Sequence, residues 1–301
     1  MPGGTRPWGK APRASEVAAR GLAFLVIPRL TGAMDHDSFT TFAHRLADCA
    51  ADETLPRFRQ DTAVSNKDTA GFDPVTEGDR AAERVLRTMI EADYPDHAIR
   101  GEEFREKPAQ DGSPWRWVLD PIDGTRAFIC GVPVWTTLIG LEKDGVPVAG
   151  IIDQPFLRER WIGSLFDGDP RLSTSTNLPA KTSGRTDIAA ARMMVTDMRA
   201  GEYFSDHEAN AVARLAGRVQ VVRQGLDSYG FGLVASGQMD LVVEAGLHWH
   251  DIAAVVPVIK AAGGTVITWQ GKDLQATDGP ITTIAAATQA LAREAAAILR
   301  G

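Results

Sequence analysis

Cysteine is almost missing from this chain of 301 residues, with Cys49 and Cys130 the only two. One pair cannot staple a disulfide framework or build a cysteine-only zinc cluster, and so little cysteine fits a reducing compartment. Positive charge is in deficit as well: 32 Lys and Arg against 39 Asp and Glu leave a formal net charge of −7. The basic residues are scattered, so the chain lacks both the electrostatic footprint of a nucleic-acid binder and the polybasic run of a membrane anchor. Long apolar runs are lacking too. Leu22 to Ile27 falls far short of the roughly 20 residues that span a bilayer. Arg20 and Arg29 flank it and no small-residue cleavage site follows, which argues against a signal-peptide core. No G-x-x-x-x-G-K-[ST] loop occurs, which disfavours a nucleotide-binding kinase. These absences leave a cytoplasmic protein with no nucleic acid and no membrane among its partners.

What is present is ordinary globular material: 44% hydrophobic and 24% charged residues, in a length that suits one large or two medium domains. Residues 1–33 differ from the rest. Pro2, Gly3, Gly4, Pro7, Gly9 and Pro12 disfavour regular structure, so 1–33 reads as a loose N-terminal extension, or Met34 as the true start. From Asp35 to Ser38 the chain signals a helix start for Phe39 to Leu55. Thr76 can cap a helix running to about Ala92, with Ala82, Val85, Leu86, Met89 and Ile90 on one face. His97 to Arg100, Trp115 to Leu119, and Trp135 to Leu141 read as strands. Asp144-Gly145 is a hairpin turn into Val146 to Ile152. Further on come a strand over Ile188 to Val195 and a helix over Asp206 to Ala216. A helix over Ile252 to Ala262 stops at Gly263-Gly264 before a strand over Thr265 to Trp269, and an alanine-rich helix over Thr288 to Leu299 closes the chain. The mixture is α/β or α+β. Ser, Thr, Asn and Pro cluster between Ser173 and Thr186, which divides the folded part into 34–180 and 181–301.

The chemistry concentrates in Asp120-Pro121-Ile122-Asp123-Gly124-Thr125, at the end of the apolar run Trp117 to Leu119. Pro121 is expected to stop the strand and let Asp120 and Asp123 converge in the turn. Two carboxylates that close repel each other unless a cation lies between them, and hard oxygen ligands favour magnesium or manganese over zinc. Gly124 and Thr125 can then open a helix and present backbone N–H groups to an anion. Taken alone, D-x-x-D-G also reads as a strand end and a plain turn. It is accompanied, however, by Gly101-Glu102-Glu103 after the preceding strand and by Trp249-His250-Asp251 before a later helix. Asp79 and Asp251 each also have a purely structural reading as helix caps. An acidic chain that handles an anion must draw positive charge from elsewhere, and a bound cation is the obvious source.

In their order and separations, these motifs resemble the inositol monophosphatase family of metal-dependent phosphatases over nearly all of residues 35–301. The resemblance implies an α/β/α/β/α layered sandwich, with 34–180 carrying most metal ligands and 181–301 completing the active site. It implies two or three Mg2+ ions held by Glu102, Asp120, Asp123, Asp251 and the backbone carbonyl of Ile122. Gly124 and Thr125 would bind phosphate through their amides, Asp79 would hydrogen-bond Thr125, and Thr125 with Glu102 would position the attacking water. The implied partner is a small phosphate monoester, the implied reaction an in-line displacement without a phosphoenzyme, and the implied assembly a homodimer.

Within the family, the stretches Arg126 to Ile129, Gly131 to Leu141, Ile152 to Trp161 and Asp240 to Gly246 resemble the histidinol-phosphatase branch, which completes a late step of histidine synthesis. Glu244 falls where the family contacts the alcohol part of its substrate, and a carboxylate there suits a histidinol ammonium or an inositol hydroxyl. Asp227 reads either as a wall of that pocket or as a turn residue. Arg126 reads as a phosphate contact, a contact to a neighbouring subunit, or an exposed structural residue. His248 and His250, beside hard carboxylates, read as pocket lining or packing rather than ligands. Cys130 and His248-Trp249-His250 depart from the branch pattern. Inositol-1-phosphate and 3′(2′),5′-bisphosphate nucleotides are the alternative substrates, and a catalytically silent binding protein is the alternative outside enzymes.

Overall fold

The first helix begins where Asp35 accepts the Ser38 amide at 2.9 Å while Ser38 Oγ accepts the Asp35 amide at 2.9 Å, a reciprocal cap that uses two otherwise unpaired donors. In this computed structural model the described residues are 34–60, 64–66 and 74–301. The reading of 1–33 as an extension lies outside them. Helix α1 (His36–Thr54) is followed by the short antiparallel pair β1 (Val64–Asn66) and β2 (Pro74–Thr76). Then come α2 (Glu77–Asp93), β3 (Ala98–Gly101), β4 (Trp115–Asp123) and the one-turn α3 (Thr125–Ile129). The strands β5 (Thr136–Lys143), β6 (Val146–Gln154), β7 (Glu159–Ser164) and β8 (Arg171–Thr174) complete a six-stranded sheet in the order β3-β4-β5-β6-β7-β8. Its β3–β4 pair is parallel and the rest are antiparallel.

The second half runs β9 (Arg192–Val195), α4 (Asp206–Ala216), β10 (Val221–Gln224), α5 (Tyr229–Ala235) and β11 (Leu241–Leu247). It ends with α6 (Trp249–Ile252), α7 (Val255–Ala261), β12 (Thr265–Ile267), β13 (Ile281–Ala286) and α8 (Gln289–Arg300). Its sheet is five-stranded in the order β10-β9-β11-β13-β12.

Three apolar interfaces stack these elements. Phe39, Phe42 and Leu46 of α1, with Leu86 and Ile90 of α2, cover one face of the first sheet at Trp117, Leu119, Ile139 and Ile151. Val118, Leu138, Ile152 and Trp161 point from the other face onto α5 to α7, which pack in turn on Met194, Val242 and Ala285 of the second sheet. Leu215 of α4 and Leu291, Ala295 and Leu299 of α8 seal that sheet's outer face at Met193, Val243 and Ile284. Successive residues of β4, Trp117 and Val118 for example, therefore face different helix layers, as the period of two requires. The layers run α/β/α/β/α, as expected. Gly150 and Gly163 let the first sheet touch the central helix layer, since an added Cβ would fall 2.2 Å from the Ala254 carbonyl oxygen and 2.4 Å from the Val258 Cα.

Three local expectations need correction. The strand read as stopping at Pro121 continues to Asp123. The helix read over Ile252 to Ala262 is broken into α6 and α7, with Ala253 and Ala254 between them. The strand read from Ile188 starts at Arg192, because Ile188–Ala190 forms a single 3-10 turn capped by Asp187, whose side chain accepts the Ala189 amide at 2.9 Å.

Candidate active site and metal centre

The continuation of β4 explains how one strand delivers two carboxylates to one place. In a regular strand Asp120 and Asp123, an odd number of residues apart, would point to opposite faces. Asp120 pairs with Leu138 and Asp123 with Thr136, so Pro121 and Ile122 together oppose the single residue Thr137. This bulge adds the one residue needed to return Asp123 to the side of Asp120. It is fastened by Thr137 Oγ1, which donates to the Pro121 carbonyl at 2.7 Å. Proline suits the position, having no N–H to leave unpaired.

Glu102 reaches the same place from the parallel neighbour β3, its amide donating to the Leu119 carbonyl at 3.2 Å. The turn carrying it is held by Glu83 of α2, a residue that sequence reasoning passed over. Glu83 is fully buried, accepts the Glu103 amide at 2.7 Å and pairs with Arg87 at 2.7 Å. Gly101 has no room for a side chain here, since a Cβ would lie 2.0 Å from Glu83 Oε1. A glutamate four residues before an arginine was the available signal.

Asp251 comes from α6. Its Oδ2 accepts the His248 amide at 2.7 Å, so it caps the helix and faces the site at once. Donor atoms of Asp120, Asp123 and Asp251 lie within 4.8 Å of one another, and so do those of Glu102, Asp120 and His250. His250 is thus brought into the cluster, where the sequence placed it as lining. Its ring stacks on His248 with centroids 5.5 Å apart, and its Nε2 lies 3.3 Å from Asp251 Oδ1.

So many buried carboxylates resist ionisation together. Burial first, and then the charges of Glu102, Asp123 and Asp251, push Asp120 well above its ordinary value. Burial and Asp251 raise Asp123 to about 7, although hydrogen bonding from Ser228 opposes the shift. Burial likewise lifts Asp251 to about 7. Asp120 is 2% exposed, and its Oδ1 has no hydrogen-bond partner among the described residues. An orphaned, buried carboxylate oxygen amid like charges is the signature of a site that fits a divalent cation, and the oxygen-rich donor set fits a hard one. Ile122 lines the same cavity, its carbonyl accepting Thr125 Oγ1 at 3.0 Å.

Gly124 stands at φ 80°, in the left-handed region, and Asp227 packs so closely that a Cβ would come within 2.9 Å of it. The tight turn starts α3, and Gly124 and Thr125 both line the cavity. Thr125 Oγ1 lies 3.5 Å from Asp79 Oδ1. Asp79 also caps α2, its Oδ2 accepting the Thr76 amide at 2.8 Å, and burial raises it to about 6 despite those bonds.

The cavity encloses about 440 Å³. Beyond the cation cluster it is walled by Thr196, Tyr203, Asp227, Ser228 and Glu244. Glu244 Oε1 accepts the amide and hydroxyl of Thr196 at 2.7 and 2.9 Å, and burial raises Glu244 to about 8. Burial and the nearby charge of Asp123 raise Asp227 to about 7. Arg126 pairs with Glu202 at 2.9 Å and lies over the Tyr203 ring at 5.2 Å, so it borders the cavity already engaged with the 199–204 loop. Thr196, Tyr203 and Ser228 carry no motif; the run of polar residues around Asp227 was the one hint for Ser228.

Comparison with known proteins accounts for this geometry. A model of the inositol monophosphatase family matches residues 35–300. The chain is 38% identical over 236 residues to the chloroplastic bifunctional phosphatase IMPL2 of Arabidopsis thaliana, covering 78% of this chain and 66% of that protein. It is 36% identical over 238 residues to a histidinol-phosphatase of Chlorobaculum parvum, covering 76% of this chain and 85% of that one. A solved inositol monophosphatase from Zymomonas mobilis matches with a TM-score of 0.76 at 34% identity, over 89% of this chain and 100% of the other. With the bulged D-x-x-D strand, the carboxylate cluster and the five layers in place, the chain belongs to the inositol monophosphatase family and is a metal-dependent phosphoric monoester hydrolase.

Proposed function

We propose that the chain hydrolyses L-histidinol phosphate to L-histidinol and phosphate, using two or three Mg2+ ions. Glu102, Asp120, Asp123, Asp251 and the Ile122 carbonyl are the residues that would hold them. Magnesium bound there supplies charge neutralisation for the phosphate and a water acidic enough to attack it. The amides of Gly124 and Thr125 hold a phosphate oxygen. Thr125 Oγ1, between Asp79 and the Ile122 carbonyl, orients the attacking water together with Glu102, and in-line displacement follows without a phosphoenzyme. The same reading carries a cytoplasmic homodimer.

The observation that carries the substrate is the second pair of carboxylates. Asp227 and Glu244 lie in the cavity outside both cation triads, and each is pushed towards neutrality by burial. A substrate with phosphate for the cations and an ammonium for this pair relieves both sets of charges at once. The likeness to the Chlorobaculum parvum histidinol-phosphatase supports this reading. The Zymomonas mobilis structure supports a second one, inositol-1-phosphate, whose hydroxyls the same carboxylates can accept.

The test is phosphate release with magnesium from L-histidinol phosphate, myo-inositol-1-phosphate and adenosine 3′,5′-bisphosphate, each with an EDTA control. We expect histidinol phosphate to lead in kcat/KM by about a hundredfold, on the order of 3 kcal/mol in transition-state binding. A lead by either other substrate reassigns the substrate and leaves the metal chemistry. No EDTA-sensitive release from any of the three would favour a silent binding protein.

A further inference from the structure

The two donor triads share Asp120 but differ in chemistry. Asp120, Asp123 and Asp251 offer oxygen alone, whereas Glu102 and Asp120 are joined by His250. The histidine is placed by its neighbours rather than by chance exposure. Trp249 before it is 1% exposed, and its Nε1 donates to the buried Glu142. Asp251 after it caps α6 through the His248 amide. The His248 ring, stacked 5.5 Å away, supports one face of the imidazole. Between these two fixed residues His250 lines the cavity, and a ring nitrogen comes within 4.8 Å of donor oxygens of both Glu102 and Asp120. The orphaned Oδ1 of Asp120, buried in the same place, points independently to a ligand.

We infer that His250 supplies a nitrogen ligand to the cation held by Glu102 and Asp120, making that position selective for first-row transition ions over magnesium. The reasoning is ligand softness. Carboxylates alone suit Mg2+, while an imidazole adds affinity for ions later in the first row and little for Mg2+, which keeps its waters. The mixed triad also carries one carboxylate fewer than the all-oxygen triad, so it attracts a hard ion less strongly. The two positions therefore differ in preference, the oxygen triad for Mg2+ and the mixed triad for Mn2+ or Co2+ where these ions are supplied, with Mg2+ filling both where it alone is present. This rests on the reading that the cluster holds cations.

The experiment uses the full chain, stripped with EDTA, in calorimetric titrations with Mg2+, Mn2+ and Co2+ and in electron spin-echo envelope spectroscopy of bound Mn2+. Wild type is expected to show nitrogen modulation from a coordinated imidazole, and His250→Ala to lack it. His250→Ala and His250→Asn should each weaken Co2+ by about tenfold or more and Mg2+ by less than about threefold. Thermal melts of the metal-free variants establish that they fold, and the nitrogen signal of wild type stands without them. Cations bound with no nitrogen modulation, or equal losses for Co2+ and Mg2+, would overturn the role of His250 and leave the metal reading intact. So would tighter binding in His250→Ala, which would mark the imidazole as a rival cation. No binding of any of the three ions would overturn both.

Discussion

The cation end of the cavity and its remaining wall are built in different ways. The cation end draws Glu102, Asp120, Ile122 and Asp123 from the adjacent ends of β3 and β4, with Asp251 arriving on α6. Its positions are fixed by strand register, a bulge and a helix cap. The wall takes Thr196 from the end of β9, Tyr203 and Asp227 from loops, and Glu244 from β11 of the other sheet. It is held by isolated contacts, the Thr196 bonds to Glu244 and the Arg126–Glu202 pair among them. On the proposed function the difference separates two properties: the cation end would decide whether a phosphate is cut, and the assembled wall which alcohol carries it.

The sharpest way to break that division is Asp120→Asn. It should lower kcat/KM by about a thousandfold or more through lost cation binding. The metal-free protein should melt no lower than wild type, since a buried carboxyl that resists ionisation among like charges gives way to a neutral amide. Phosphate release, titration with Mg2+ and a thermal melt check the three parts, and an active Asp120→Asn protein would sink the scheme. Thr125→Val should follow, with kcat down about a hundredfold and Mg2+ affinity nearly unchanged, if the hydroxyl orients water rather than holding metal. Glu244→Gln acts on the wall. It should raise KM for histidinol phosphate about tenfold while leaving turnover of the phosphate ester of an uncharged alkyl alcohol within about twofold. Equal effects on both substrates would place Glu244 in the cation end's chemistry.

The smallest effect is the pH dependence of the metal-free protein. Asp123, Asp227 and Asp251 titrate near 7 and Glu244 near 8, above their ordinary 3.8 and 4.5. The folded state therefore binds more protons than the unfolded chain between about pH 4 and 8, and stability falls as pH rises through that window. Without metal, the melting temperature should drop by a few degrees or more from pH 5 to pH 8. Added Mg2+ should restore more at pH 8 than at pH 5, because it binds the ionised carboxylates. A flat melting profile in EDTA would show that the carboxylates are better compensated than the buried Asp120 oxygen suggests.

What the sequence made legible follows the same division. Capping residues announced α1 and α2, because a side chain three residues along acts within one turn. The hairpin at Asp144-Gly145 was readable, as both residues have positive φ, at 51° and 76°. The carboxylates of the cation end sit in short motifs and were named from them. The bulge at Pro121 was read as a strand end, because proline marks a lost donor without telling whether the partner strand goes on. Thr196 and Tyr203 were missed altogether. They meet the cavity through the packing of the second sheet on α5 to α7, and no local pattern encodes a contact between distant loops. Glu83 was invisible for a related reason: its role lies in the turn it holds from another element.

The double employment of two aspartates has a consequence for how such proteins lose function. Asp79 and Asp251 each close a helix start through a backbone amide, at 2.8 and 2.7 Å; Asp251 also lines the cavity, and Asp79 lies 3.5 Å from Thr125 Oγ1, which does. Folding alone gives a lineage reason to keep them. Asp120 caps no helix among the described residues, and one of its oxygens bonds nothing among them. A descendant freed from catalysis would shed Asp120 early and retain the other two for the sake of its helices. Among relatives of this chain, an intact Asp120 is therefore the better witness to an enzyme still under selection.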